Sequence, residues 1–277
     1  MFKERLSSYI DGQKEEIIQQ ILKLVSFASI NVNKEETKAC LRYFLNYAQE
    51  LGFKTMTTTE HDVGIVEMGQ GEETLGILVH LDVVGIGDRE KWTNDPFEGV
   101  RRDGYLWGRG TEDDKGAAIM SLYAMKAVQD LNLPMHRKVW LIVGTSEEGK
   151  WTDIESFKKE YPVPCCGYSP DGRFPIFNIE KGYADIALDF FEDGKRGIKS
   201  LQGGDSPNTI PSKAKITLPD GRNLTVHGKA THSSVPKGGD NAIIKLSNKL
   251  SIIKEYEFDF VRFISDFLKN DGLTNQL

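Results

Sequence analysis

Apolar residues recur at helical spacing in the first fifty positions. From Lys14 they follow a period of 3.6 residues, and they do so again between Leu41 and Leu51. Before the second stretch, Asn33 stands three residues ahead of Glu36, a spacing typical of a helix start. The pattern therefore predicts two opening helices.

Short apolar segments then predict strands, at Phe53–Thr58, Gly64–Met68, Leu75–Leu81 and Lys138–Gly144. The last two are continuous apolar runs, typical of strands buried on both faces. A segment rich in good helix formers, Asp114–Val128, lies between them. The order strand, helix, strand predicts an α/β fold with a mixed, mostly parallel sheet flanked by helices.

The sequence becomes more polar and richer in Gly, Pro and Ser from about Arg196. Asp220-Gly221 predicts a hairpin turn between the strands Ala214–Leu218 and Asn223–Val226. Helices are expected at Asp240–Ile253 and Glu257–Lys269. We therefore expect a first domain over residues 1–195 and a smaller α+β domain over residues 196–277.

Composition excludes several classes of protein. The 277 residues are 39% hydrophobic and carry a net charge of −6 spread along the chain, so a basic surface for nucleic acid is not expected. The sequence contains neither an 18-residue apolar run nor a signal-peptide core, so we expect no membrane partner. Three sparse cysteines predict no disulfide framework, and the expected location is the cytoplasm.

One imidazole and several carboxylates stand where predicted strands end or a helix begins: His80, Asp82, Asp113, Glu147, Glu148 and Asp171. Each alone is an ordinary packed or solvated residue. The carboxyl ends of strands in an open α/β sheet meet at one edge, however, so these residues can converge. An imidazole with carboxylates suits Zn²⁺, Mn²⁺ or Co²⁺.

Seven blocks in order resemble the M20 metallopeptidases, and among them the PepV-type dipeptidases. The blocks are GILVHLDVV (Gly76–Val84), WTNDPFEGV (Trp92–Val100), DGYLWGRGTEDDKG (Asp103–Gly116), VGTSEEGKWTDIESF (Val143–Phe157), SPDGRFPIFNIEKG (Ser169–Gly182), SPNTIPSKA (Ser206–Ala214) and GKATHSSVPKGGDNAI (Gly228–Ile243). The resemblance implies a catalytic domain with an inserted lid domain, two divalent metal ions, preferably zinc, and a small peptide as substrate.

The resemblance also implies a role for each candidate residue. It makes His80 and Asp171 ligands of one ion, Asp113 the bridge between the ions, and Glu148 a ligand of the second. Asp82 would orient the His80 ring, and Glu147 would act as general base. In the second domain, His232 would stabilise the developing oxyanion and Asn208 would bind substrate. A cis peptide bond between Asp113 and Asp114 is implied as well.

The family pattern continues beyond the last block, with a return to the catalytic domain that supplies a further histidine for the second ion. No histidine follows His232 in these 277 residues. We therefore expect a C-terminally truncated chain, with a missing C-terminal half as a partner, a weak second ion site and little activity alone. Two alternatives stay open: a deacylase of N-acyl amino acids with the same metal centre, and an inactive truncated fragment or pseudo-enzyme.

Overall fold

The computed structural model describes residues 2–87, 89–172, 175–179, 182, 184, 186–191, 197–204, 209–253 and 258–268. The chain divides into two compact units, Met1–Phe177 and Asn178–Leu277. The boundary expected between residues 195 and 196 lies outside the described residues.

Five α-helices are described in the first unit: α1 (Phe2–Gly12), α2 (Lys14–Val25), α3 (Lys34–Glu50), α4 (Lys115–Asp130) and α5 (Thr152–Glu160). The predicted start of α3 is confirmed, because the Asn33 side chain accepts a hydrogen bond from the Glu36 amide at 3.4 Å. Helix α1 was not predicted, and it buries no residue. Across both units, the described helices include none with the length and apolar character needed to cross a bilayer.

The strands of the first unit are β1 (Lys54–Thr57), β2 (Gly64–Met68), β3 (Thr74–His80), β4 (Val100–Arg102), β5 (Tyr105–Trp107), β6 (Lys138–Gly144) and β7 (Cys166–Tyr168). The order β1-β2-β6-β3-β7 forms the main sheet, and β4 pairs with β5. Strand β2 pairs antiparallel with both β1 and β6. Strand β3 pairs parallel with both β6 and β7. The predicted α/β class and mixed sheet are confirmed, with the parallel pairs in one half of the sheet.

Strand β6 shows why the apolar runs are continuous. Successive side chains of a strand point to opposite faces. Leu141 belongs to a core with Phe44 and Leu122, which come from helices α3 and α4. Its neighbour Trp140 packs instead with Phe157 of α5. Both faces of β6 are therefore covered, which explains a run without polar alternation.

The parallel register decides what lies at the edge of the sheet. Strand β3 ends at His80, which is opposite Gly144, the last residue of β6. Strand β7 also runs parallel to β3. The segments that follow all three strands therefore leave from the same edge, and each carries candidate acidic residues.

The second unit contains β8 (Ser200–Gly203), β9 (Lys213–Thr217), β10 (Asn223–His227), α6 (Ala242–Leu250) and α7 (Asp259–Phe263), followed by a π-helical turn over Ile264–Leu268. The strands form an antiparallel sheet in the order β10-β9-β8, so the predicted hairpin is confirmed. Its core joins Ile216 and Val226 of the sheet to Leu246 and Phe258. Both described helices lie within the segments predicted to be helical.

Replacing Phe44 tests the assignment of the main core. Phe44 is fully buried, so Phe44→Ala should lower the free energy of unfolding by about 3–5 kcal/mol, because it removes buried apolar area and leaves a cavity. The matched control is Phe2→Ala, since Phe2 is 58% exposed and should change stability by less than about 0.5 kcal/mol. Urea unfolding of both variants makes the comparison, and equal effects would contradict this core.

Candidate metal centre

His80 is held in one orientation at the end of β3. The residue is only 2% exposed. Its Nδ1 lies 2.9 Å from the backbone carbonyl oxygen of Asp82, which can only accept a hydrogen bond. Nδ1 is therefore the donor, and in the neutral ring Nε2 is left with a free lone pair.

The free nitrogen of His80 faces carboxylates from three separate segments. Its Nε2 lies 3.0 Å from Asp113 Oδ1, 3.5 Å from Asp171 Oδ2 and 3.8 Å from Glu147 Oε2. Nε2 is buried and has no well-directed hydrogen bond among the described residues. A ring nitrogen of His80 and one oxygen each from Glu147 and Asp171 lie within 4.8 Å of one another. This is a donor set that can hold a divalent cation.

Charge explains why such a pocket attracts a cation. Burial lowers the pKa of His80, but contacts with Asp113, Asp171 and Asp82 outweigh burial and raise it. The surrounding carboxylates therefore favour positive charge at this position, which either a proton or a metal ion can supply.

The two adjacent glutamates follow β6. The Asp82 carboxylate accepts hydrogen bonds from their backbone amides, at 3.1 Å for Glu147 and 3.0 Å for Glu148. Burial, together with the negative charges of Asp113 and Glu147, raises the pKa of Glu148 to about 7. Burial also raises the pKa of Glu147. The backbone thus holds both glutamates where negative charge accumulates.

Asp82 contacts His80 in two ways. Its carboxylate oxygen Oδ1 lies 3.5 Å from His80 Nδ1, whereas its backbone carbonyl oxygen is closer, at 2.9 Å. Asp82 is fully buried. It therefore joins the His80 ring to the backbone that carries the two glutamates.

Asp171 reaches the pocket from the loop after β7. The Ser169 hydroxyl donates to the Leu78 carbonyl at 2.9 Å, and its oxygen accepts from the Asp171 amide at 3.4 Å. These contacts attach the loop to β3. The third carboxylate of the pocket therefore depends on the β3–β7 pairing.

Sequence reasoning missed two supporting residues. Asp114 is fully buried, and its Oδ2 accepts a hydrogen bond from the His80 amide at 3.1 Å. Burial raises the pKa of Asp114 to about 8. The Asn31 side chain donates to the backbone carbonyl of Glu148. The peptide bond between Asp113 and Asp114 is cis, as the resemblance implies.

The other two predicted residues belong to the second unit. His232 lies on an exposed loop, where its Nδ1 is 2.6 Å from the Ser234 hydroxyl and its backbone forms an isolated bridge with Thr209. Asn208 lies outside the described residues. The first unit thus brings together His80, Asp82, Asp113, Glu147, Glu148 and Asp171.

Comparison with known proteins identifies relatives along most of the chain. Residues 76–183 match the model of "Peptidase family M20/M25/M40".

Curated relatives with the name "Putative dipeptidase" include two bacterial proteins. YtjP of Bacillus subtilis (strain 168) is 31% identical, and the match spans 86% of this chain and 58% of YtjP. A protein of Staphylococcus epidermidis (strain ATCC 12228 / FDA PCI 1200) is 29% identical, spanning 97% of this chain and 66% of the relative. The chain therefore spans less than two thirds of the length of either relative.

Human carnosine dipeptidase 1 shows the same fold among solved structures. The superposition has a TM-score of 0.51 with 24% sequence identity. It covers 57% of this chain and 38% of the human protein. This likeness supports the fold assignment.

Removing the imidazole tests the pocket as a cation site. His80→Ala should lower the affinity for Zn²⁺ at least about tenfold, because it removes the imidazole nitrogen that, within the described part of the chain, faces these carboxylates. Isothermal titration calorimetry of metal-free protein measures this. The control is His136→Ala, which lies outside the pocket. Equal Zn²⁺ affinity in the wild type and His80→Ala would place the ion elsewhere.

Proposed function

We propose that this chain belongs to the M20/M25/M40 peptidase family, whose model matches residues 76–183, and that the protein is a metal-dependent dipeptidase that hydrolyses small peptides. The observation that carries the proposal is the buried Nε2 of His80, which faces the carboxylates of Asp113, Glu147 and Asp171 without a well-directed hydrogen bond among the described residues. The dipeptidase names of the two curated relatives support the choice of substrate.

The donor set fits divalent metal ions. One borderline nitrogen and several hard oxygens suit Zn²⁺, with Mn²⁺ or Co²⁺ as alternatives. In this proposal His80 and Asp171 would hold one ion and Glu148 would hold a second, with the Asp113 carboxylate available to both. When bound, the ions supply Lewis-acid polarisation of the peptide carbonyl and a lowered pKa for water.

Each remaining residue has a role that its chemistry permits. Glu147 accepts a proton from the attacking water and delivers it to the leaving amine. Asp82 fixes the His80 ring and the backbone of both glutamates. This keeps His80 Nε2 and the carboxylates of Glu147 and Glu148 at fixed positions relative to one another. We assign His232 to the stabilisation of negative charge on the carbonyl oxygen and Asn208 to substrate binding, as the family resemblance suggests.

A substrate comparison tests the proposed function. The purified protein, supplied with Zn²⁺, Mn²⁺ or Co²⁺ in turn, is assayed with dipeptides and with N-acetyl amino acids, and released amino acid is measured. The proposal expects any release, even at a low rate, to come from dipeptides in preference to N-acetyl amino acids. Preference for the N-acetyl compounds would favour the deacylase alternative, and ion binding without hydrolysis of either would favour the inactive alternative.

The adjacent glutamates should respond differently to the loss of charge. Glu147→Gln should reduce any dipeptide turnover about 10²- to 10⁴-fold and keep its metal content. Although the Glu147 carboxylate lies in the same donor group as His80 and Asp171, the proposal makes it the proton acceptor and assigns the ions to His80, Asp113, Glu148 and Asp171. Glu148→Gln should instead weaken ion binding. Turnover and metal content by mass spectrometry are measured for both. An equal loss of metal in the two variants would contradict the division of roles.

A further inference from the structure

The backbone segment that carries the two glutamates is held by buried carboxylates. Four consecutive amides, those of residues 145–148, each donate to a carboxylate oxygen. Thr145 and Ser146 donate to Asp153 Oδ2 at 2.7 and 2.9 Å. The next two amides donate to Asp82, as described above. Asp153 therefore accepts the first two of these amides and Asp82 the last two.

Asp153 has no contact of its own with the metal pocket among the hydrogen bonds and ion pairs given for the described residues. It is the second residue of α5 and is only 2% exposed. Its other oxygen accepts from the Ile154 amide at 2.9 Å. Hydrogen bonds from backbone N–H groups to a carboxylate are short and strong, and they offset part of the cost of burying its charge. Burial still outweighs them, so the pKa of Asp153 is raised.

Gly144 makes the position of Asp153 geometrically demanding. A Cβ atom at residue 144 would lie 2.7 Å from Asp153 Oδ2. An ordinary van der Waals contact of a Cβ atom is 3.4–4 Å, so the carboxylate would have to move. Gly144 is the last residue of β6 and the register partner of His80. The absence of a side chain at residue 144 therefore leaves room for the carboxylate that holds the next two amides.

We propose that Asp153 is a positioning residue, which fixes Glu147 and Glu148 through the backbone of residues 145–148. Asp82 holds the second half of this segment. Without Asp153 the amides of Thr145 and Ser146 lose their shared acceptor, and the first half keeps only its other contacts, such as the Thr145 hydroxyl on the Asp62 carbonyl at 2.6 Å. The carboxylates of Glu147 and Glu148 would then lose their fixed direction toward the pocket. The inference rests on the proposed roles of these two glutamates.

Four variants of the full chain test the inference. Asp153→Ala removes the acceptor, Asp153→Asn keeps one oxygen acceptor, and Gly144→Ala displaces the carboxylate without changing Asp153. Glu155→Gln is the matched control, because Glu155 is an exposed acid in the first turn of the same helix and pairs with Lys158. Three quantities are measured: Zn²⁺ affinity by titration calorimetry, amide hydrogen exchange of the peptide containing residues 145–148, and Tm.

Loss of an outer hydrogen-bond partner typically weakens metal binding about 10- to 100-fold. We expect that loss for Asp153→Ala and Gly144→Ala, with faster exchange of the 145–148 amides, and a smaller loss for Asp153→Asn. Glu155→Gln should match the wild type. A lower Tm with Zn²⁺ affinity within about twofold of the wild type in Asp153→Ala and Gly144→Ala would overturn the inference and leave Asp153 a purely structural residue.

The design also separates this inference from the proposed function. If Asp153→Ala does not fold, Gly144→Ala and Asp153→Asn decide by the same affinity comparison. If the wild type binds Zn²⁺ and hydrolyses no dipeptide, the proposed function fails, yet the affinities still test Asp153. If dipeptide hydrolysis is found and the affinities do not change, only the positioning role fails.

Discussion

The candidate site of the first unit depends on the accumulation of negative charge around one buried imidazole. Carboxylates that share a pocket repel one another, and burial weakens the screening that water would provide. A neutral His80 ring adds no positive charge to compensate for them, so the pocket favours either a proton on the ring or a metal ion. The geometry of the pocket and its proposed chemistry therefore have the same physical origin.

The fold concentrates these charges by means of strand direction and backbone donors. Parallel pairing of β3 with β6 and β7 brings the ends of three strands to one edge, and the acidic residues follow them. Backbone N–H groups then hold two buried carboxylates beside the pocket. Asp114 accepts a hydrogen bond from the His80 amide, and Asp82 accepts from the amides of Glu147 and Glu148. These neutral donors favour charged carboxylates without adding a competing cation to the pocket.

The sequence predicted the parts of this arrangement that leave a local pattern. The buried strands appear as apolar runs, and the start of α3 appears in the spacing of Asn33 and Glu36. Position at the end of a strand identified His80 and the Glu147-Glu148 pair as candidates. Helix α1 has only a short, partly buried apolar face, formed by Leu6, Tyr9 and Ile10, and none of its residues is fully buried. So short a pattern was missed in the sequence.

The supporting residues of the pocket could not be found in this way. Asn31 contacts Glu148 across 117 positions, and no local pattern indicates such a contact. In the sequence, Asp153 resembles any acid in the first turn of a helix, where the helix dipole alone explains it. Its burial and its two additional amide donors depend on how the chain turns back after β6.

Diffraction from crystals of this protein soaked with Zn²⁺, recorded above and below the zinc absorption edge, tests the central claim most directly. The account predicts an anomalous peak about 2.0–2.1 Å from His80 Nε2, the usual distance for zinc bound to histidine, with Asp171 as a further ligand. Zinc peaks found only at other positions, with the His80 pocket free of anomalous density at saturating Zn²⁺, would contradict it.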